Sequence, residues 1–256
     1  MEVHAHTHPS SSSGQRKKWT HYFWEFLMLF LAVFCGFLAE NQREHLIEHK
    51  RAIKYIQSLA EDLGYDTLEF QEDGQTWREK FYIIDTLRQE LSKPIPAQNA
   101  ELLYKIASKV WRFTTFIYND RTIEQLRHSG EFRLLNKEVV TKLIRYDGKV
   151  RTSIRDREAV LIRTYGELID IQNSLFDSRI FEQLRAGRRS MEKDTAVSAE
   201  LVVYTPLVNN PEKRFLYYNK LYQFQTDIAA VLLNESQANR LLVLLLDEIK
   251  KHYTIK

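Results

Sequence analysis

Cysteine is all but missing: Cys35 is the only one in 256 residues, and it lies inside an apolar run. The remainder therefore has no disulfide framework and no thiol nucleophile. Glycine (8) and proline (5) are also scarce, too scarce to supply the turns of an all-β fold. An excess of one charge is lacking too. With 37 basic and 34 acidic side chains, the net charge of +3 does not point to a nucleic-acid partner. No glycine-rich phosphate cradle and no G-x-S-x-G nucleophile turn occurs.

What the chain does have is a greasy segment near its start, WTHYFWEFLMLFLAVFCGFLA (19–39), with 14 unbroken apolar residues from Phe26 to Ala39. Those 14 cover only about 21 Å as a helix, but adding 19–25 approaches the about 20 residues a bilayer crossing needs. Trp19, Tyr22, Phe23 and Trp24 form an aromatic collar, and Arg16, Lys17 and Lys18 sit outside it, as suits a membrane edge. A cleaved signal peptide needs small residues at its cleavage site, where Phe37 stands; a lipoprotein anchor on Cys35 is opposed by Phe34. Lys and Arg counts on the two flanks are nearly balanced. The tightly packed Arg16–Lys18 cluster and the short tail favour a cytoplasmic N-terminus and a periplasmic C-terminal part. Glu25 is the one formal charge inside the segment. It reads as an interfacial residue relieved by hydration or Lys18, or as a contact to a partner helix or ion path. Ala32 and Gly36 make a weak small-xxx-small pair.

Beyond the anchor the pattern is helical. Leu46, Ile53, Ala60 and Thr67 step by seven between His49, Ile56, Leu63 and Phe70, the seam of a long amphipathic helix. Trp77, Phe81, Ile84, Leu87 and Leu91 continue it, with soft points expected at Gly64 and Gly74 and a stop at Pro94 and Pro96. A helix from about Asn99 to Arg112 follows, then a short aromatic connection, Phe113–Tyr118. Asp120 is expected to cap TIEQLRHSG and Gly130 to end it. A helix opening at about Asn136 runs through Val139, Leu143, Ile154, Leu161, Leu168 and Leu175, with a kink expected at Gly148. Residues 185–210 read as a surface loop. Asn210-Pro211 opens the last helix, whose buried face is expected to hold Leu216, Leu221, Phe224, Ile228, Val231, Ala238, Leu242, Leu245 and Ile249.

The run RKKWTHYFWEFLMLFLAVFCGFLAENQREHLIEHKR and the block TIEQLRHSGEFRLLNKEVVTKLIRY resemble an uncharacterised membrane-protein family widespread in Bacteroidota. Thr122, Leu126, Ser129, Gly130, Leu134 and Leu135 carry the second resemblance. It implies a short tail, one transmembrane helix and a helical region. It implies no activity and no catalytic residue.

Three patterns invite chemistry. His45-Leu46-Ile47-Glu48-His49 matches the H-x-x-E-H zinc pattern, but it abuts the anchor, lacks a third ligand segment and places His49 in the seam. KRFLYYNKLYQF (213–224) mixes bases with aromatics as single-strand binders do, yet its apolar members have core spacing. Asp120, Arg121, Arg127 and His128 around Ser129-Gly130 suit a small polar pocket, or equally caps and surface ion pairs. His4, His6 and His8 in the tail offer adventitious metal binding.

The fold class expected is all-α: a His/Ser-rich tail (1–18), a transmembrane helix (19–40), a helical stalk packing on the bundle (41–93) and a soluble helical bundle (97–256). The expected partners are the lipid bilayer, through residues 19–40, and another protein or a second copy; no catalytic, cofactor or metal residue is assigned. The function expected is a noncatalytic interaction protein of the cell envelope, anchored in the inner membrane. The alternatives are an extracytoplasmic small-ligand sensor acting through a partner and a membrane-tethered hydrolase on His45 and His49.

Overall fold

The computed structural model describes residues 14–111, 113–192 and 202–254, and the side chains of all of these except 14–18 and 187–192. Every regular element among them is helical, so the fold is all-α. The His4/His6/His8 tail lies outside the described residues. The chain divides into two units, Met1–Lys54 and Tyr55–Lys256. Helix α1, Gly14–Leu91, supplies the described part of the first and opens the second. Gly64 and Gly74 do not interrupt it. A mid-helix glycine costs about 1 kcal/mol, which the burial of the neighbouring Leu63 and Trp77 offsets.

In the second unit the buried seam of α1 is Ile56, Leu59, Leu63, Phe70, Trp77, Ile84 and Leu87. Ile56, Leu63, Phe70, Trp77, Ile84 and Leu87 stand in the seam as expected, and the other column is displaced by one residue. Leu46 and His49 are exposed and Ile53, Ala60 and Thr67 only half-buried. The positions that complete the 3-4 repeat are Asp66, Asp73 and Lys80, all buried.

After a 3₁₀ turn (Ile95–Ala97) comes α2, Ala100–Val110, capped by the Asn99 side chain accepting from Leu102 N at 3.0 Å. Residues 113–120 form no regular element. Helix α3, Arg121–Ser129, ends at Gly130 in the left-handed region (φ 69°), where a Cβ would be strained. Helix α4, Lys137–Gly148, is capped by Asn136 and passes through a π-helical turn, Lys149–Ile154, into α5, Arg155–Leu175. The irregularity expected at Gly148 is thus a widened turn rather than a break. Helix α6, Ser178–Glu192, places 185–192 in a helix and not a loop. In α7, Pro211–His252, Asn210 caps and Pro211 takes the first turn. Leu216, expected inside, is 47% exposed, and Tyr217 is buried in its place.

Helix α7 runs antiparallel to both α1 and the α4–α5 rod. Arg88 of α1 reaches Gln225 and Tyr218 at 3.2 Å, and the Gln225 amide donates to Phe81 O at 3.1 Å. Lys142 meets Glu248, Lys149 meets Asn234, and Lys220 pairs with Glu167. Trp77 anchors the centre, fully buried, with its ring edge-on to Phe113 (5.4 Å) and Phe224 (6.5 Å). Burying a side chain of that size stabilises by about 2–3 kcal/mol, with roughly 1 more for ring geometry.

Candidate functional site: the apolar segment and the buried carboxyl groups

Among the described residues, two helices are long and apolar enough to cross a membrane. In α1 none of the apolar window is buried, whereas a third (33%) of the window in α7 is. Helix α7 also carries the buried seam Tyr217, Leu221, Phe224, Ile228 and Val231, so its apolarity serves the core. In the first unit, Phe26, Phe30 and Phe34 stack one turn apart (ring separations 6.3 and 5.9 Å) while still more than two-fifths exposed. Glu25 lies 3.2 Å from His21 Nε2, one turn before it.

The H-x-x-E-H pattern does not fit its sequence-based placement. His45 and His49 are both exposed, and His49 is not a seam residue. Among the described residues, the metal-type group that converges is instead Glu138, Glu248 and His252, with ligand atoms within 4.8 Å. Its surroundings are built for ion pairs. Lys142 Nζ lies 2.5 Å from Glu248 and Lys251 Nζ 3.3 Å, and these donors, Lys142 foremost, hold the Glu248 carboxyl down at about 2. The Asn136 oxygen accepts from Glu138 N (2.8 Å), so its amide nitrogen is the atom facing His252 Nδ1 at 3.4 Å. That leaves the ring proton on Nε2, pointing at Glu248 2.9 Å away. A metal-binding Nε2 requires the opposite tautomer. The group is a clamp between the start of α4 and the end of α7.

The TIEQLRHSG block is tied to α1 by two aspartates that the sequence reading did not single out. Asp62 accepts from Thr122 N (3.0 Å), from the Thr122 hydroxyl and from Arg121 Nη2 (2.8 Å). It therefore caps α3 from another helix. The expected cap, Asp120, makes no capping bond, and its carboxylate accepts from Arg151 at 2.8 Å. Asp66 accepts from Asn119 N (2.9 Å) and Nδ2 (3.0 Å) and from the Tyr146 hydroxyl (2.7 Å). Burial raises the Asp66 carboxyl and those three donors oppose the rise. Asp147 accepts from Tyr118 (2.9 Å), Arg151 (2.6 Å) and Arg127 (2.6 Å). Burial first, then the neighbouring carboxylates, pushes the Tyr118 and Tyr146 hydroxyls far up, keeping both as donors. His128 is solvent-facing against Glu124. Arg121, Arg127 and Asp120 thus meet acids and bases of neighbouring elements rather than lining a pocket, and the carboxylates they meet have their lone pairs taken.

One group of acids lacks such donors. Asp73 of α1, Glu158 of α5 and Glu235 of α7 come together between the three helices, buried to 2%, 9% and 3% exposure. Glu158 accepts from Phe116 N at 2.6 Å, and Asp73 Oδ2 accepts from Trp77 Nε1 at 3.2 Å. Asp73 Oδ1 and both Glu235 oxygens find no donor. Burial first, then Asp73 within hydrogen-bonding range, then Glu158, pushes Glu235 up to about 9, against a smaller opposing effect of Arg78. Two acceptors in contact are reconciled by one proton, so at neutral pH Glu235 is the acid and donates to Asp73. Burial likewise raises Glu158. The group thus holds a proton in the core. No protein-family model, no curated protein and no solved structure matches this chain.

Proposed function

We propose that this chain is a noncatalytic, membrane-anchored interaction protein of the cell envelope. Residues 19–40 embed in the bilayer, and the helical bundle of the second unit binds another envelope protein or a second copy of itself. The observation that carries the reading is the α1 apolar window, none of which is buried. Leaving Phe26, Leu29, Phe37 and their neighbours in water costs about 25 cal/mol per Å², and lipid removes that cost. The helix bonds its own backbone groups, as a lipid-exposed segment must. Among the described residues the H-x-x-E-H histidines join no metal-type group, and the polar block around Gly130 is spent on holding helices together. Both support a binding role over hydrolysis.

The basic cluster Arg16–Lys18 supports an N-terminus in the cytoplasm, with the bundle in the periplasm at the inner membrane. Alkaline carbonate washing of membranes tests the anchor: the full-length chain is expected in the pellet, and its release would overturn the reading. Reporters fused at each terminus test orientation, a periplasm-inactive reporter giving signal at the C-terminal end being the contrary result.

A further inference from the structure

The outer face of α7 differs from the other water-facing helix surfaces. Between Phe215 and Asn239 ten residues are exposed, and none is charged; Lys220, Asp227 and Glu235 in the same stretch are partly or wholly buried. By contrast, the exposed face of α5 carries Asp156, Arg163, Glu167 and Asp170. The uncharged face has its own 3-4 repeat on the side of α7 away from the core. Phe215, Tyr222, Thr226, Ala229, Leu233 and Ser236 all lie on it, with Phe215 69%, Tyr222 59% and Leu233 59% exposed. Such a repeat sustained over three heptads is the signature of a helix–helix seam.

We propose that this face is the contact between two copies of the chain, α7 against α7 about a two-fold axis. The inference rests on the interaction reading above and names its partner and surface. Two-fold pairing brings a patch against itself, so any charge inside it meets its like. A face on which α7 exposes no charge over 25 positions meets that requirement, the Arg88 guanidinium of α1 at its edge being turned to Gln225 and Tyr218, and a patch for an unlike partner has no need to. Thr226 and Ala229 are small, which lets the helix axes approach, while Phe215, Tyr222 and Leu233 supply apolar area on either side, and the exposed Arg240 ends the face. From Phe215 to Asn239 the helix is about 36 Å long and about 10 Å wide, or roughly 360 Å² from each chain. The total of about 700 Å² falls short of the about 1,200 Å² of a stable interface. Pairing is therefore weak in dilute solution and is sustained by confinement of both chains to one bilayer.

Cross-linking of the full-length chain in membranes tests this. Cys35 is the sole cysteine, so a Cys35→Ala background accepts Ala229→Cys, or Asp170→Cys on the charged α5 face as control. A short bis-maleimide is expected to convert Ala229→Cys to covalent dimer at least about tenfold more than Asp170→Cys. Adding Leu233→Arg, or separately Thr226→Glu, is expected to cut the dimer yield by a similar factor, with unchanged helical circular dichroism. Equal yields from the two cysteine positions overturn the proposal. An amine-reactive cross-linker on the wild type separates the two readings. A dimer or a heteromeric product with Ala229→Cys silent removes this face and leaves the interaction reading standing. Monomer alone with both reagents removes both.

Discussion

Replacing Glu235 by glutamine removes the one buried acid, among the described residues, neither of whose oxygens finds a donor. An ordinary glutamate titrates near 4.5, and in the folded chain this one titrates at about 9. Between those values the folded state binds a proton that the unfolded state has released, so stability falls as pH rises. The stability is fully present below pH 4.5, declines by about 1.4 kcal/mol per pH unit, and levels off once Glu235 ionises near pH 9. At pH 7 the cost of keeping the proton is about 3 kcal/mol. Glutamine has nearly the same shape and cannot ionise, and its amide can donate to Asp73 in place of the Glu235 proton. Glu235→Gln is thus expected to match the wild type near pH 4.5, to exceed it by about 3 kcal/mol at pH 7 and to widen its lead toward pH 9. Urea unfolding of the detergent-solubilised full chain from pH 5 to 9 reads this directly. The fluorescence of Trp77, bonded to Asp73, is a local probe. Parallel stability curves for wild type and variant across that range would refute the shared-proton argument.

The other helices give simpler tests. Asp62→Ala strips the α3 N-terminus of its cap and Arg121 of its partner, and should cost about 2–3 kcal/mol in the same urea experiment. Gly130→Ala forces a side chain into φ 69° with nothing in its way, and should cost about 1 kcal/mol without changing the fold seen by circular dichroism. His45→Ala combined with His49→Ala should leave metal content, measured by elemental analysis of purified protein, unchanged; a loss of stoichiometric zinc would revive the hydrolase.

Helix ends were legible because each is a local event. Asn99, Asn136 and Asn210 cap, and Gly130 stops a helix, through groups within four residues of themselves. Where a cap comes from elsewhere in the chain, local reading fails. Asp120 stands in the right place before α3, yet Asp62, 60 residues before Thr122, accepts the Thr122 N–H, while Asp120 turns to Arg151. Helix α6 was missed for a related reason. Its arginines and Gly187 resemble a loop when taken alone, and its helical face is fixed by Ile180 and Phe181 packing on Tyr104 and Phe176.

The misread seam of α1 has the deeper cause, and it reaches the candidate site. A search for apolar residues at 3-4 spacing treats Asp66, Asp73 and Lys80 as outward positions and slides the register toward Leu46, Ile53, Ala60 and Thr67. Those three residues recur every seven positions inside the true seam, and Glu235 occupies a 3-4 position between Val231 and Ala238 in α7. Each needs partners before burial is tolerable, and each has at least one from another part of the chain. Asn119 and Tyr146 serve Asp66, Trp77 and the Glu235 proton serve Asp73, and the Val110 carbonyl and the Trp77 ring serve Lys80. Such partners are made only when helices already lie side by side, so no window of one helix contains the information. A charged residue recurring with heptad period in an otherwise apolar stripe is nonetheless visible in the sequence. Here that recurrence, more than the H-x-x-E-H match, marks where the bundle holds its unusual chemistry.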